Sequence, residues 1–304
     1  MSLLVVGSVA YDGVETPHGK IDRMLGGAGT YIALSASFFT KINLVGIVGD
    51  DFSPDDEAIL RERGIDLTGL ERVPGKTFFW AGVYSENMNE RTTLTTELNV
   101  FADFNPTLPA SYRAAPYAFC GNIHPSLQKQ VRSQMSSPRF VGGDTMNFWI
   151  EGTPAELAET IREWDFLLIN DSEARQLSGE HNLRKAARKI IEMGPQTLVI
   201  KRGEYGAILF RPDGYFVAPG FLLEDVFDPT GAGDSFAGGF MGYLAEQGIS
   251  ELDEASHQHL RRAMIYGSVM GSFCCEKFGV DRFLSLTRAE IDARYQEFKG
   301  FTEF

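Results

Sequence analysis

Apolar residues fall along this chain in short, nearly unbroken runs separated by longer amphipathic stretches. Residues 3–6 (Leu-Leu-Val-Val), closed by Gly7, read as a buried strand, and residues 42–48, ending in Gly49-Asp50-Asp51, read as a second. Similar runs at 117–120, 140–143, 166–169 and 198–200 predict further strands with helices between them. Near-continuous apolar runs of this length suit strands covered on both faces. The helices announce themselves differently. Ser53-Pro54-Asp55-Asp56-Glu57 supplies a cap, a proline at the first helical position and acids in the first turn, so a helix runs to about Arg63 and stops at Gly64. Another helix begins at Pro125. Phe236, Phe240, Tyr243 and Leu244 stand at i, i+4, i+7 and i+8 and give a helix one core-facing side. Beyond it the chain reads as mainly helical. Regular alternation of strand and helix predicts an α/β, doubly wound, largely parallel sheet with helices on both faces.

Two stretches depart from the alternation. Residues 76–84 and 91–100 are rich in β-branched and aromatic residues, and Glu86-Asn87-Met88-Asn89 separates them as a polar turn. They read as a hairpin outside the main sheet. Residues 207–210 and 215–217, joined through Pro212-Asp213-Gly214, read as a second hairpin. The sequence shows no internal repeat and no low-complexity linker.

The most informative stretch runs from Asp228-Pro229-Thr230 through Gly231-Ala232-Gly233-Asp234 to Phe240. It starts as a loop and ends as the first turns of the apolar helix. At a helix N-terminus several N–H groups lack intrahelical partners, and the dipole presents positive potential. Glycines let that backbone approach a ligand, so the turn suits phosphate oxygens. Asp234 directly follows the turn. A carboxylate there would repel a bound phosphate, which makes sense if it takes a proton from a hydroxyl attacking phosphorus while the amides hold the developing charge. A bland alternative is that Asp234 merely stabilises the helix start.

This run resembles the C-terminal signature of ribokinase-like (PfkB-type) carbohydrate and nucleoside kinases. By that resemblance Gly231, Ala232 and Gly233 form the anion hole, Asp234 is the catalytic base and Thr230 lies on the nucleotide side. Earlier in the chain, Gly26-Gly27-Ala28-Gly29 has the wrong spacing for a dinucleotide fingerprint and, taken alone, is as readily a tight strand-to-helix turn as a site. The family has a Gly-Gly turn here that contacts the acceptor, which makes Gly26 and Gly27 substrate-binding candidates. Asp12 matches the family's early acid, suited to grip a vicinal diol. Where many relatives carry an acceptor-binding Asn, this chain has Tyr31. Asn170 and Glu173 match an Asn-x-x-Glu motif of the metal and phosphate network, with Glu173 the candidate Mg2+ contact, directly or through water. Read without the family, the same segment is a helix start with Asp171 or Ser172 as cap. Asp144 and Asn147 resemble another family pattern, without the Arg usual beyond it. The run from Lys201 through Gly203 to Gly206 resembles the family's loop beneath the nucleotide, which makes Lys201 and Gly203 nucleotide-side candidates. Residues 266–275 and Gly279 resemble the elements flanking adenine, although their small residues also suit tight helix packing.

Composition narrows the partners. The chain has 304 residues, 43% hydrophobic and 23% charged, with a net charge of −13, an ordinary globular balance that argues against nucleic acid as a main ligand. Cys120, Cys274 and Cys275 show no metal spacing and no disulfide framework, and the five histidines are scattered. No apolar run approaches membrane-spanning length and nothing reads as a signal peptide, so a cytoplasmic protein is expected. No Walker-type phosphate loop occurs.

These observations set the expectations. Residues 1–304 form a single ribokinase-like kinase domain whose β lid comprises about 12–24 and 76–100. The enzyme transfers the γ-phosphoryl of ATP, with Mg2+, to a hydroxymethyl group of a sugar-containing small molecule. A nucleoside is favoured, because Phe78, Phe79, Trp80, Tyr84 and Tyr31 offer faces for a base. In a strand Phe78 and Trp80 would face one side and Phe79 the other, so at most one set meets the acceptor. A free sugar or sugar acid is the alternative acceptor. The resemblance leaves room for a monovalent cation and for a homodimer through the lid. A non-catalytic nucleotide-binding regulator and an NAD enzyme are the remaining alternatives, disfavoured by the intact Asp234 and the missing fingerprint.

Overall fold

In the computed structural model, which describes residues 1–253 and 256–303, the apolar runs become strands. The first part of the chain forms β1 (Ser2–Val6), β2 (Ala10–Thr16), β3 (Gly19–Gly26), α1 (Ala28–Ala36), β4 (Lys41–Val48), α2 (Pro54–Glu62) and β5 (Asp66–Arg72). Then come β6 (Phe79–Tyr84), β7 (Arg91–Glu97), β8 (Tyr117–Cys120), α3 (Pro125–Gln134), β9 (Phe140–Gly143), α4 (Asn147–Gly152) and α5 (Pro154–Ile161). Next are β10 (Phe166–Asn170), α6 (Asp171–Ser178), α7 (Leu183–Glu192), β11 (Thr197–Lys201), β12 (Ala207–Arg211) and β13 (Gly214–Ala218). Helices α8 (Ala232–Gln247), α9 (His257–Cys274), α10 (Asp281–Ser285) and α11 (Arg288–Thr302) complete it.

Nine strands make one sheet in the order β13-β12-β11-β10-β9-β8-β1-β4-β5, parallel except where β12 and β13 join antiparallel. The period of two explains why the central runs are apolar throughout. Leu3 and Val5 enter a core shared with Ile32, Phe240 and Val269, while Leu4 and Val6 enter one shared with Val131, Leu157 and Ile190. The two layers of helices are therefore α1, α8 and α9 on one face and α3, α5 and α7 on the other. Helix α2 starts as its sequence predicts: the Ser53 side chain accepts from the Asp56 N–H at 3.0 Å, and Gly64 just beyond the helix has φ 72°. Among the described residues, no helix is long and apolar enough to cross a membrane.

Strand β5 has no counterpart in the apolar pattern. It is an edge strand, paired only with β4, and only Leu67 of its seven residues is buried, so too little alternation remains to mark it. A second, four-stranded sheet runs β3-β2-β6-β7. Its outer pairs are antiparallel, but β2 and β6 are parallel. It is tied to the body near the end of β4, where the Thr77 hydroxyl accepts from Gly49 N–H at 3.0 Å and Asp51 accepts from Thr77 N–H at 2.7 Å. Because β1, β4, β8, β9, β10 and β11 are parallel, the segments leaving their C-terminal ends lie along one edge of the large sheet. In open α/β sheets that edge is where ligands bind.

Candidate active site

The turn before α8 is held from below and left open above. Asp228 is buried, and its two carboxylate oxygens accept from Thr230 N–H at 2.9 Å and Gly279 N–H at 3.0 Å. Burial pushes its carboxyl up, against the pull of those donors. The Cys274 thiol donates to the Thr230 carbonyl at 3.3 Å, so the loop is pinned to the end of α9. Gly231 takes the N-cap position with φ 75° and supplies no capping side chain. A Cβ there would lie 2.4 Å from the Tyr31 ring. Ala232 N–H turns back to the Pro229 carbonyl and Ser235 N–H to that of Gly231. Among the described residues the N–H groups of Gly233 and Asp234 have no acceptor. The helix itself is anchored by Phe236 and Phe240, and Gly238 admits the Ile32 carbonyl of α1.

Charges from four elements surround that turn. The Lys201 ammonium, at the end of β11, lies 3.4 Å from the Gly233 carbonyl. Asp234 is half-buried, and burial raises its carboxyl while Lys201 and Arg91 oppose the rise. Asp144, leaving β9, is buried with one oxygen unpartnered among the described residues. Burial holds its carboxyl well above the usual range, and Asp234 adds to this. Glu173 is 8% exposed, and its carboxyl too is raised by burial, with Lys201 opposing.

The sequence leaves Asp171 or Ser172 as the cap of α6, whereas the structure gives that place to Asn170. Its side chain accepts from Glu173 N–H at 2.8 Å, and Glu173 in turn accepts from Asn170 N–H at 2.8 Å. One Glu173 oxygen is thereby taken. Among the described residues no three His, Cys, Asp or Glu side chains gather as a metal cage. Such a site fits a Mg2+ ion that keeps phosphate oxygens and waters as its main ligands.

The acceptor candidates gather around α1. Asp12 is buried against Gly26, where a Cβ would lie 2.0 Å from the carboxylate. Gly27 has φ 91° and offers its N–H to Asp12 at 3.4 Å. Burial pushes the Asp12 carboxyl up to about 7, with the Gly27 N–H opposing and Asp228 and Asp234 adding to it. Trp80 stands beside Asp12 in the β2–β6 register, so both side chains leave the same face of the small sheet. Its indole lies over Gly82, whose Cβ would come 2.4 Å from the ring. Tyr84, two residues further, meets the Thr230 hydroxyl at 3.1 Å, which turns this face toward the signature loop.

Three aromatic expectations change. Phe78 precedes the strand and stacks on Phe101 at 5.3 Å. Phe79 leaves the opposite face and packs with the body core, close to Gly13. Tyr31 is 1% exposed and lies under Gly231, so it supports the anion turn instead of offering a face for stacking. Gly203 is exposed with φ 55°, and its neighbour Glu204 accepts from Asn89 of the β6–β7 turn at 2.9 Å. In α9, Gly267 and Gly271 admit Phe236 and the Ala232 carbonyl, so these small residues serve helix packing. Missing from the sequence-based set is Asp228, whose local signal is an acid two positions before a backbone N–H that it caps.

A helix-start anion turn with a carboxylate beside it, on this fold, defines a phosphotransferase. The pfkB family carbohydrate kinase model matches residues 2–286, and the chain belongs to that family. It is an ATP-dependent enzyme acting on an alcohol hydroxyl, and kinases of this family use ATP and Mg2+. The chain is 29% identical to a cytidine kinase of Thermococcus kodakarensis over 259 residues, covering 83% of this chain and 91% of that protein. It is 27% identical to a deoxyribokinase of Salmonella typhi over 250 residues, 78% of this chain and 79% of that one. The fold superposes on a Burkholderia thailandensis nucleoside kinase solved with inosine at a TM-score of 0.77, with 22% identity and coverage of 98% and 99%.

Proposed function

We propose that this kinase phosphorylates the hydroxymethyl group of a nucleoside. The observation that carries the acceptor class is Trp80, an aromatic face placed in register beside the diol-gripping Asp12 and on the side that reaches Thr230. A stacked base gains ~1–3 kcal/mol in nucleic-acid complexes. The cytidine kinase among the relatives supports the same class.

In this reading the small sheet is a lid, and Asp12 accepts hydrogen bonds from the ribose hydroxyls. Asp234 takes the proton of the attacking hydroxyl. The acceptor oxygen bonds to the γ-phosphorus as the bond to the bridging oxygen breaks, and ADP leaves with that electron pair. The raised carboxyl of Asp234 makes it a stronger base than a free aspartate. The amides of Gly233 and Asp234, with Lys201 beside them, hold the charge on the transferred group. Glu173 would contact a Mg2+ ion bound with the nucleotide, which would supply charge neutralisation at the phosphates. Lid closure keeps water from the γ-phosphate. The exposed edge strands β3 and β7 leave room for a second copy to pair there, and the protein would act in the cytoplasm.

Steady-state kinetics across cytidine, adenosine, inosine, ribose, fructose and 2-keto-3-deoxygluconate test the acceptor class. A nucleoside should give the highest kcat/KM, and Trp80→Leu should raise its KM several-fold with little change in kcat. If a free sugar is preferred and Trp80→Leu is silent, the stacking role is wrong.

A further inference from the structure

Just beyond α9, the carboxylate of Glu276 is shared by two guanidinium groups. Its Oε2 accepts from Arg282 Nε of α10 at 2.7 Å, and its Oε1 accepts from Arg294 of α11. Arg294 also donates to the Ser272 hydroxyl at 3.0 Å, and its guanidinium carbon lies 3.5 Å over the Phe273 ring. The Arg282 and Arg294 side chains are only 13% and 15% exposed. Burial on that scale strips water from the charges, and well-packed apolar side chains would often hold such a place equally well. Stability is therefore a weak reason for the arrangement. What it adds is one fixed geometry.

The segment held in that geometry is 275–279, and it is bonded at both ends to the signature loop. The Cys275 carbonyl accepts from Phe227 N–H at 2.8 Å. Gly279 N–H donates to Asp228 at 3.0 Å, and Asp228 also accepts from Thr230 N–H at 2.9 Å. Against the small sheet the segment has no room to give, because Gly279 has φ 56° and a Cβ there would lie 2.8 Å from the Met24 sulfur of β3. A chain of contacts thus runs from Arg294 through Glu276, the 275–279 segment and Asp228 to Thr230, one residue before Gly231.

We propose that Arg294 is a positioning residue for phosphoryl transfer: through Glu276 it sets where the Gly231–Gly233 turn presents its amides. It acts through other groups, since its own donors go to Ser272 and Glu276. Arg282 is the second arm. Its terminal nitrogen meets Glu290 of α11 at 2.8 Å, so α10 and α11 close on the segment together. A misplacement of about 1 Å in a group that orients the reacting atoms can cost on the order of 10²-fold in rate. A loop that stays folded but shifts slightly would therefore still bind nucleotide and transfer slowly. The inference rests on the reading of that turn as the transfer site, and it holds whichever acceptor the panel above identifies.

The test compares Arg294→Met, Arg294→Lys, Glu276→Gln and Thr287→Ala in the full chain, with Asp234→Asn alongside and the acceptor of highest kcat/KM. Arg294→Met keeps an apolar stem and removes both hydrogen bonds. Its kcat should fall about 10-fold, while its melting temperature stays within a few degrees of wild type. Arg294→Lys keeps a charge that reaches Glu276 and should recover part of the rate. Glu276→Gln should lose rate as Arg294→Met does, because its amide nitrogen cannot accept from a guanidinium. Thr287→Ala removes the cap of α11 without touching Glu276, and should lower the melting temperature with kcat near wild type. An Arg294→Met kcat near wild type overturns the proposal, whatever its melting temperature. So does a Thr287→Ala variant that loses as much rate, since α11 would then act through stability alone. If Arg294→Met fails to fold, Glu276→Gln at wild-type kcat overturns it equally. Inactive Asp234→Asn beside normal Arg294→Met leaves the transfer site standing and removes the relay. Near-normal turnover of Asp234→Asn removes the site reading, and the proposal with it.

Discussion

Two glycine turns open two helices at the same edge of the sheet, and they are wired in opposite ways. Gly27 is the N-cap of α1 and Gly231 the N-cap of α8, both with positive φ and neither with a capping side chain. At α1 the freed amides are claimed from within. Ala28 N–H donates to the Ser8 hydroxyl at 3.0 Å, Gly29 N–H to the Ser8 carbonyl at 2.9 Å, and Gly27 N–H to Asp12. At α8 the N–H groups of Gly233 and Asp234 stay unclaimed among the described residues. The structural helices α2, α6, α7 and α11 close theirs with Ser53, Asn170, Asn182 and Thr287. A glycine turn at a helix start is therefore not in itself an anion site. What separates the two is whether a neighbour already satisfies the amides.

The sharpest way to break this contrast lies at the open turn. Asp234→Asn should lower kcat by ~10²–10⁴-fold, as for loss of a positioned base, while affinity for an ATP analogue stays near wild type. Turnover close to normal in a folded mutant would refute the assignment. Gly231→Ala and Gly233→Ala then separate shape from chemistry within one turn. The first puts a Cβ at φ 75° and 2.4 Å from the buried Tyr31 ring, and should destabilise by roughly 2–5 kcal/mol. The second meets only the flexible end of Lys201 at 3.0 Å. Thermal melting should therefore stay near wild type for Gly233→Ala while its kcat drops about 10-fold or more, from a displaced phosphoryl group. Equal melting temperatures for the two variants would show that Tyr31 does not support the turn.

How much of this was legible follows from where each signal resides. The signature turn could be read because its glycines, its acid and its apolar helix are contiguous. The central strands could be read because burial on both faces leaves no polar positions. Strand β5 could not, since an edge strand with one buried residue carries no pattern. The Asn170 cap was hidden by the two acceptable caps that follow it. The sorting of Phe78, Phe79 and Trp80 depends on where β6 begins and on its pairing with β2. Tyr31 falls where relatives use a polar side chain, but the approach of α8 to α1 buries it under Gly231.

The acceptor turn has its own pH signature. Asp12 has a carboxyl raised from 3.8 to about 7, mainly by burial. A raised acid binds its proton more tightly in the folded state than in the unfolded one. Stability is therefore unaffected by this group below about pH 4, falls as pH rises toward 7, and stays lower above it. Asp12→Asn removes that loss. Its melting temperature should match wild type at pH 4 and exceed it by a few degrees at pH 8, while acceptor affinity falls steeply. A constant gap at both pH values would mean that the carboxyl is not raised in the fold.

The smallest expected effect tests the closed turn. Ser8 is 5% exposed, and its hydroxyl is the acceptor for Ala28 N–H. Ser8→Ala leaves the Ser8 carbonyl bond to Gly29 in place and deprives one half-buried amide of its partner. Such a loss costs about 1–3 kcal/mol, visible as a small drop in melting temperature. If the amides of α1 serve only to shape the turn, kcat should stay within about twofold, because no donor that meets the transferred group has been touched. Acceptor KM would rise modestly, through a looser Gly26-Gly27 backing for Asp12. Suppose instead that kcat collapsed while the melting temperature held. The Ala28 amide would then be a ligand donor like those of α8, and the two turns would differ in their ligand and not in their wiring.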